Sequence, residues 1–211
     1  MNPDASKPKS RAFANRAASD PTLSAEVGER PNFPHHAESQ GQVQAPAGPV
    51  FEHLDDHTRL SAHMDQRSWR MGWSRMKLSL DEQAGRATGS RMHLEGRVLG
   101  VQLSLDEVVT EHTPPTRKVW MTVGAPRLLV IGPYRMGFVL VPAGASAQGA
   151  GSEHVTLTVF IDYALPEQGP SRLLGRIFGR WYAHWCTQRM VSDAQAAFAT
   201  TPAGAGSRTS L

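Results

Sequence analysis

The stretch Pro170–Phe198 constrains what this chain can become more than any other. Apolar residues recur there at Leu173, Leu174, Ile177, Phe178, Trp181, Trp185, Met190 and Val191, steps of three and four that fit one face of a helix. Pro170 suits the first turn, where a missing N–H costs nothing. At about 1.5 Å per residue the helix would run roughly 43 Å. A face so apolar has to be covered, so the rest of the chain must supply a surface of matching length. Arg172, Arg176, Arg180 and His184 recur at steps of four and form a basic ridge on the same helix.

The covering surface reads as a sheet. Val43–Pro46 is a short strand closed by proline, and Val50–Met64, opened by Pro49, has the spacing of one or two short helices. Trp69, Met71 and Trp73 share one face and Leu78 and Leu80 the other, which predicts a strand with a bulge near Arg75–Lys77. A strand over Arg86–Leu94 turns at Gly96 into Val98–Thr110, where Leu99, Val101, Leu103 and Leu105 alternate with Gln102, Ser104 and Asp106. Turns at Pro114-Pro115, at Gly124-Ala125-Pro126 and in the Gly/Ser cluster Gly144–Ser152 separate strands over Arg117–Val123, Leu128–Val141 and His154–Leu165. Six consecutive strands on short turns make an antiparallel meander. The expected class is α+β: a curved antiparallel seven-stranded sheet wrapped on a long C-terminal helix, with two short helices after the first strand.

Residues 1–39 hold five prolines among small and polar residues and no apolar run, so a disordered tail is expected there, a domain over 40–198, and a second tail over 199–211. With no apolar segment behind its first basic residues, the start of the chain does not read as a secretory signal. One cysteine, Cys186, excludes an intramolecular disulfide, and a reducing cytoplasm is the expected compartment. Net charge is +3, and the excess is local: residues 170–211 carry five basic residues against one acidic. Basic residues elsewhere are balanced by acids and no aromatic-basic platform stands out, so nucleic acid is not an expected partner.

Candidate chemistry is sparse. His53 and His57 stand at i, i+4 beside Asp56, yet no third ligand follows at a suitable spacing, and the charged neighbourhood reads as solvated surface; no metal and no cofactor is expected. His184 and Cys186, two apart on a helix, point to different sides, and the thiol reads as a small buried hydrophobe. Glu107 alternates in phase with Leu103 and Leu105. A carboxyl on that apolar face would have a raised pKa suited to acid–base work. His93, Tyr134 and Tyr163 are further polar groups at the edge of such a face.

The order strand, two short helices, six strands, long helix resembles the helix-grip fold of the START-like superfamily, also called the polyketide cyclase/dehydrase and lipid-transport (SRPBCC) superfamily. The resembling stretches are Ala45–Asp56 after the first strand and Arg180-Trp181-Tyr182-Ala183-His184-Trp185-Cys186 in the last helix. Pro114–Trp120 and Gly132–Phe138 are similar to bacterial members. The resemblance implies a cavity between sheet and helix that holds a small apolar molecule, a lipid or quinone, for binding or transport. Its expected lining from the sheet is Trp73, Leu103, Leu105, Trp120, Tyr134, Met136 and Phe138. From the helix it is Ile177, Trp181 and Trp185. No residue is assigned a catalytic role. The competing reading is a cyclase or dehydratase using Glu107 or His93 in the same cavity, and a third is an interaction module without a ligand. The ridge of Arg172, Arg176 and Arg180 suits peripheral contact with an anionic membrane.

Overall fold

Short turns join most of the described period-two runs, and runs joined that way pair antiparallel. A computed structural model describes residues 32–58, 75–98, 100–142, 154–167 and 169–199. The strands are β1 (His35–Val43), β2 (Arg75–Leu80), β3 (Arg91–Val98), β4 (Val101–Thr113), β5 (Arg117–Arg127), β6 (Tyr134–Pro142) and β7 (Val155–Tyr163). Helix α1 covers Ala47–Asp55 and helix α2 covers Gly169–Ala197. The sheet runs β1-β7-β6-β5-β4-β3-β2, with every pair antiparallel. The meander β2–β7 is thus extended at one edge by the first strand.

Directly opposed residues share a face, so the registers assemble the inner surface row by row. One row runs Leu80, Met92, Glu107 and Thr122 across β2 to β5. Another runs Val109, Trp120, Met136, Ile161 and Ala37 across β4 to β1. A third runs His112, Lys118, Phe138, Val159 and Ser39. Glu107, Val109 and His112 do not keep step by twos; a slip between Val109 and Glu111 returns His112 to the inner face. Most of these positions are buried and join one core with Val50, Phe51 and Leu54 of α1.

Helix α2 packs along β1 and β7, the edge farthest from β2. Its contact surface overturns the expectation from periodicity. The buried line is Gly175, Gly179, Ala183, Thr187, Val191 and Ala194, while Leu173, Leu174, Ile177, Phe178, Trp181 and Trp185 are exposed. Close approach is the reason. A Cβ on Gly41 of β1 would stand 2.5 Å from Val191 Cγ1, and a Cβ on Gly179 or Gly175 would stand 3.0 Å from the Val130 carbonyl oxygen. Only small side chains fit such a gap, whatever the apolarity of the alternatives. Ser39 and Thr187 hydroxyls meet at 2.8 Å across it, and Gln195 Nε2 donates to the Gln42 carbonyl at 3.0 Å.

Other boundaries also move. β1 begins at His35, inside the segment expected to be a tail before Gln40, and ends at Val43, where a strand was expected to begin. Its half-exposed edge position and small residues hide the alternation. Gly96 lies inside β3 opposite Leu103, and the turn falls at Gly100, whose φ of +81° favours glycine. β2 pairs with β3 without a slip from Arg75 to Leu80, so the described strand has no bulge there. The expected second short helix beyond Thr58 and the Trp69–Trp73 strand lie outside the described residues, as do residues 1–31 and 200–211. No described helix is long and apolar enough to cross a membrane.

Candidate functional site

The inner face is apolar except where two polar groups interrupt it. The first is centred on Glu107. Alternation along β4 puts it inward with Leu103 and Leu105, and it is 4% exposed. Tyr134 donates its phenolic O–H to the Glu107 carboxyl, and Trp120 bonds it as well. Tyr134 is itself positioned through its backbone N–H, which donates to Thr122 Oγ1 at 3.0 Å. Burial pushes the Glu107 carboxyl up to about 7, although Tyr134, Trp120 and the charge of Lys118 pull the other way. The phenol of Tyr134 is raised well above its ordinary value by burial and by the adjoining carboxyl. A carboxyl poised near neutrality donates or accepts a proton at little cost. An open depression of about 250 Å³ reaches this group, with Leu80, Asp81, Met92 and Val123 among its walls.

Helix α2 approaches the same region through Tyr182 and Cys186, one turn apart, either of which would raise the Tyr134 phenol further if it were ionised. The Cys186 thiol and burial hold Tyr182 well above its ordinary value, and burial pushes Cys186 up to about 11. Such a thiol stays protonated and inert, in line with its expected role as a small hydrophobe.

The second polar group joins α1 to the sheet. Asp55, the last residue of α1, accepts from Lys118 Nζ at 2.5 Å and lies 3.2 Å from His112 Nε2 through either carboxylate oxygen. Lys118 is fully buried; burial pulls its ammonium below the ordinary lysine value and Asp55 opposes that pull. His57 stands edge-on to Trp120 at 5.4 Å with a buried Nε2 that has no hydrogen-bond partner. Burial, reinforced by Lys118, pushes its imidazole down to about 3, so it is neutral. The expected solvated surface around His53 and His57 is therefore wrong. α1 ends at Asp55, and Asp56 is already extended, which turns His57 inward. Among the described residues no group of three or more His, Cys, Asp or Glu side chains is placed to hold a metal.

Trp120, Met136 and Phe138 join one buried core with Tyr134 half-buried against it, while Leu103 and Leu105 are buried on the same face of β4 as Glu107 but outside that cluster. Ile177 and Trp181 are each 60% exposed and Trp185 is 42% exposed, on the part of α2 that does not meet the sheet. Trp73 lies outside the described residues. His93 lies on the opposite face of β3, where its Nδ1 stands 2.7 Å from Asp106, and the depression that reaches Glu107 is lined by both of them as well. Tyr163 is buried on the inner face next to His35, ring centroids 5.2 Å apart. Sequence reasoning missed Asp55, Lys118, His112 and Tyr182. For Lys118 a signal existed, since it alternates in phase with Trp120 and Thr122.

No family model and no curated protein matches the sequence. Solved structures do. Norcoclaurine synthase from Thalictrum flavum is 12% identical with a TM-score of 0.52, the match covering 79% of this chain and 87% of that one. A truncated norcoclaurine synthase from the same organism is 14% identical with a TM-score of 0.50, covering 79% and 94%. The Zhui aromatase/cyclase from Streptomyces sp. R1128 gives 14% and a TM-score of 0.48, covering 81% and 99%. The chain has the helix-grip fold of these structures. In this helix-grip domain the grip is made by a small-residue seam, and the polar groups of the concave face come from β4, β5, β6 and α1.

Proposed function

We propose that the domain binds a hydrophobic small molecule, of lipid or quinone type, against the concave face, with Glu107 and Tyr134 meeting its polar end. The observation that carries the reading is the Glu107–Tyr134–Trp120 group, a buried carboxyl bonded by a phenol and an indole, beside Leu80, Met92 and Val123 of an open depression that Asp81, His93 and Asp106 also line. An apolar lining with a few converging polar groups is the usual composition of small-molecule sites. Methionine and aromatic side chains adapt to irregular apolar shapes. Native mass spectrometry of gently purified protein should reveal a co-purifying apolar molecule, and members of a lipid and quinone panel should raise the melting temperature in a concentration-dependent way. Protein that is always empty and unmoved by the panel overturns the reading.

A second reading is favoured by the proton affinity of Glu107, about 7. As a carboxylate it takes a proton from the carbon next to a carbonyl; passed on to a β-hydroxyl, that proton leaves with it as water and a carbon–carbon double bond forms. This is the dehydratase or cyclase alternative. Glu107→Gln separates the two, because it ends turnover in the second and only weakens binding in the first.

A further inference from the structure

Buried polar side-chain atoms are normally hydrogen-bonded, because an unmet one has given up its water for nothing. Among the described residues His57 Nε2 is the exception: it is buried and has no partner. Its imidazole belongs to the surroundings of Glu107. It stands edge-on to Trp120, 5.4 Å between ring centroids, and Trp120 bonds the Glu107 carboxyl. Met92 faces Glu107 across the β3–β4 pair and is a wall of the depression that reaches it. Gly85, whose φ of +76° favours glycine, lies against both His57 and Met92. A Cβ there would stand 2.8 Å from His57 Cδ2, 3.4 Å from His57 Nε2 and 3.1 Å from Met92 Sδ. Met92 thus borders the imidazole as well as the depression, and an unbranched thioether is a wall that moves readily.

Two hydrogen-bonding poles therefore share one apolar surround, the Glu107–Tyr134 pair and His57. An acyl lipid has a single polar end and would leave one pole unmet. A ring skeleton with an oxygen at each end meets both, and its rigidity holds the oxygens apart without the ordering cost of a flexible chain. Hydroxyls suit the poles best. His57 is neutral, so Nε2 is either an acceptor or an N–H donor, and a hydroxyl serves both tautomers.

We propose that His57 Nε2 is the second polar contact of the Glu107 site, and that the molecule bound there is an apolar ring system with a hydroxyl at each end, of quinol type. The proposal rests on the ligand reading above and narrows it. The probes are a dihydroxynaphthalene with its hydroxyls at opposite ends and the naphthol that lacks one of them, titrated calorimetrically into the full chain. Wild type should bind the diol about tenfold more tightly, because its second hydroxyl partners a buried, unmet polar atom. His57→Leu should lose that preference while still binding the naphthol, which shows that the site is folded. His57→Gln, whose amide returns a polar atom, should restore part of it. In ring-nitrogen NMR spectra of wild type, the His57 Nε2 signal, assigned by its absence from His57→Leu, should move on saturation with the diol. If His57→Leu binds neither probe, the wild-type preference and this signal decide. Equal affinity for the two probes overturns the proposal, as does a preference that survives His57→Leu. An Nε2 signal that the diol leaves in place overturns it in favour of a buried water on that nitrogen. If neither probe binds while members of the lipid panel raise the melting temperature, the proposal falls and the ligand reading stands; if the panel fails as well, both fall.

Discussion

Replacing Glu107 by glutamine should change how stability depends on pH, and the size of the change follows from the site. The folded protein holds the carboxyl proton up to about 7, whereas the unfolded chain releases it near 4.5. Between those values the folded state binds the extra proton. Stability from this group is therefore present below 4.5 and lost as pH rises through 7. The gap corresponds to about 3 kcal/mol, at about 1.4 kcal/mol per pH decade. Glutamine does not titrate, and every other group contributes alike to both proteins. The stability of Glu107→Gln minus that of the wild type should therefore rise by about 3 kcal/mol between pH 4.5 and about 8. A constant offset of about 1–2 kcal/mol accompanies it, because the amide nitrogen that replaces one carboxyl oxygen donates and cannot accept in a site whose neighbours Tyr134 and Trp120 both donate. Urea denaturation followed by circular dichroism at a series of pH values measures the difference directly. A difference that stays flat over this range would refute the buried, proton-holding carboxyl.

Three more expectations test the surrounding structure. Lys118→Met leaves Asp55 with His112 alone and should cost about 3–5 kcal/mol, while the double variant with Asp55→Asn should recover part of that loss; a double-mutant cycle with no coupling would contradict the buried pair. His57 is neutral in the fold with a value near 3 against 6.5 when unfolded, so its contribution is present above 6.5 and lost as pH falls toward 3; His57→Leu should flatten the acid limb of the stability curve, and an unchanged acid limb would place the imidazole in water. Gly179→Ala would set a Cβ 2.9 Å from Leu165 Cδ2 and 3.0 Å from the Val130 carbonyl oxygen and should destabilise by about 1–3 kcal/mol, whereas Trp181→Ser should change urea stability by less than about 0.5 kcal/mol; the reverse order would mean that the face bearing Trp181, and not the small-residue seam, faces the sheet.

Strand count, most of the turns and the long helix were legible in the chain because period-two and period-3.6 patterns are local, while the turn expected at Gly96 falls at Gly100. Leu103, Leu105 and Glu107 face one way by backbone geometry alone, and the structure keeps them there. His112 escaped the same rule because a register slip resets the alternation, and a slip is set by the partner strand. Asp55 and Lys118 lie 63 positions apart, so their pairing exists only once α1 has been laid against β5.

The helix Gly169–Ala197 shows the division most clearly. Its existence, its length and the spacing of its large apolar side chains were determined by the amino-acid order, since hydrogen bonding and side-chain spacing within one segment suffice to define them. Which flank would be buried was decided by the tertiary structure. Gly41, the Val130 carbonyl and Leu165 leave room for glycine and alanine alone. Burial follows the fit between two surfaces, and so Trp181 and Trp185, the most apolar candidates by size, stand in the open while Gly175, Gly179 and Ala183 make the grip.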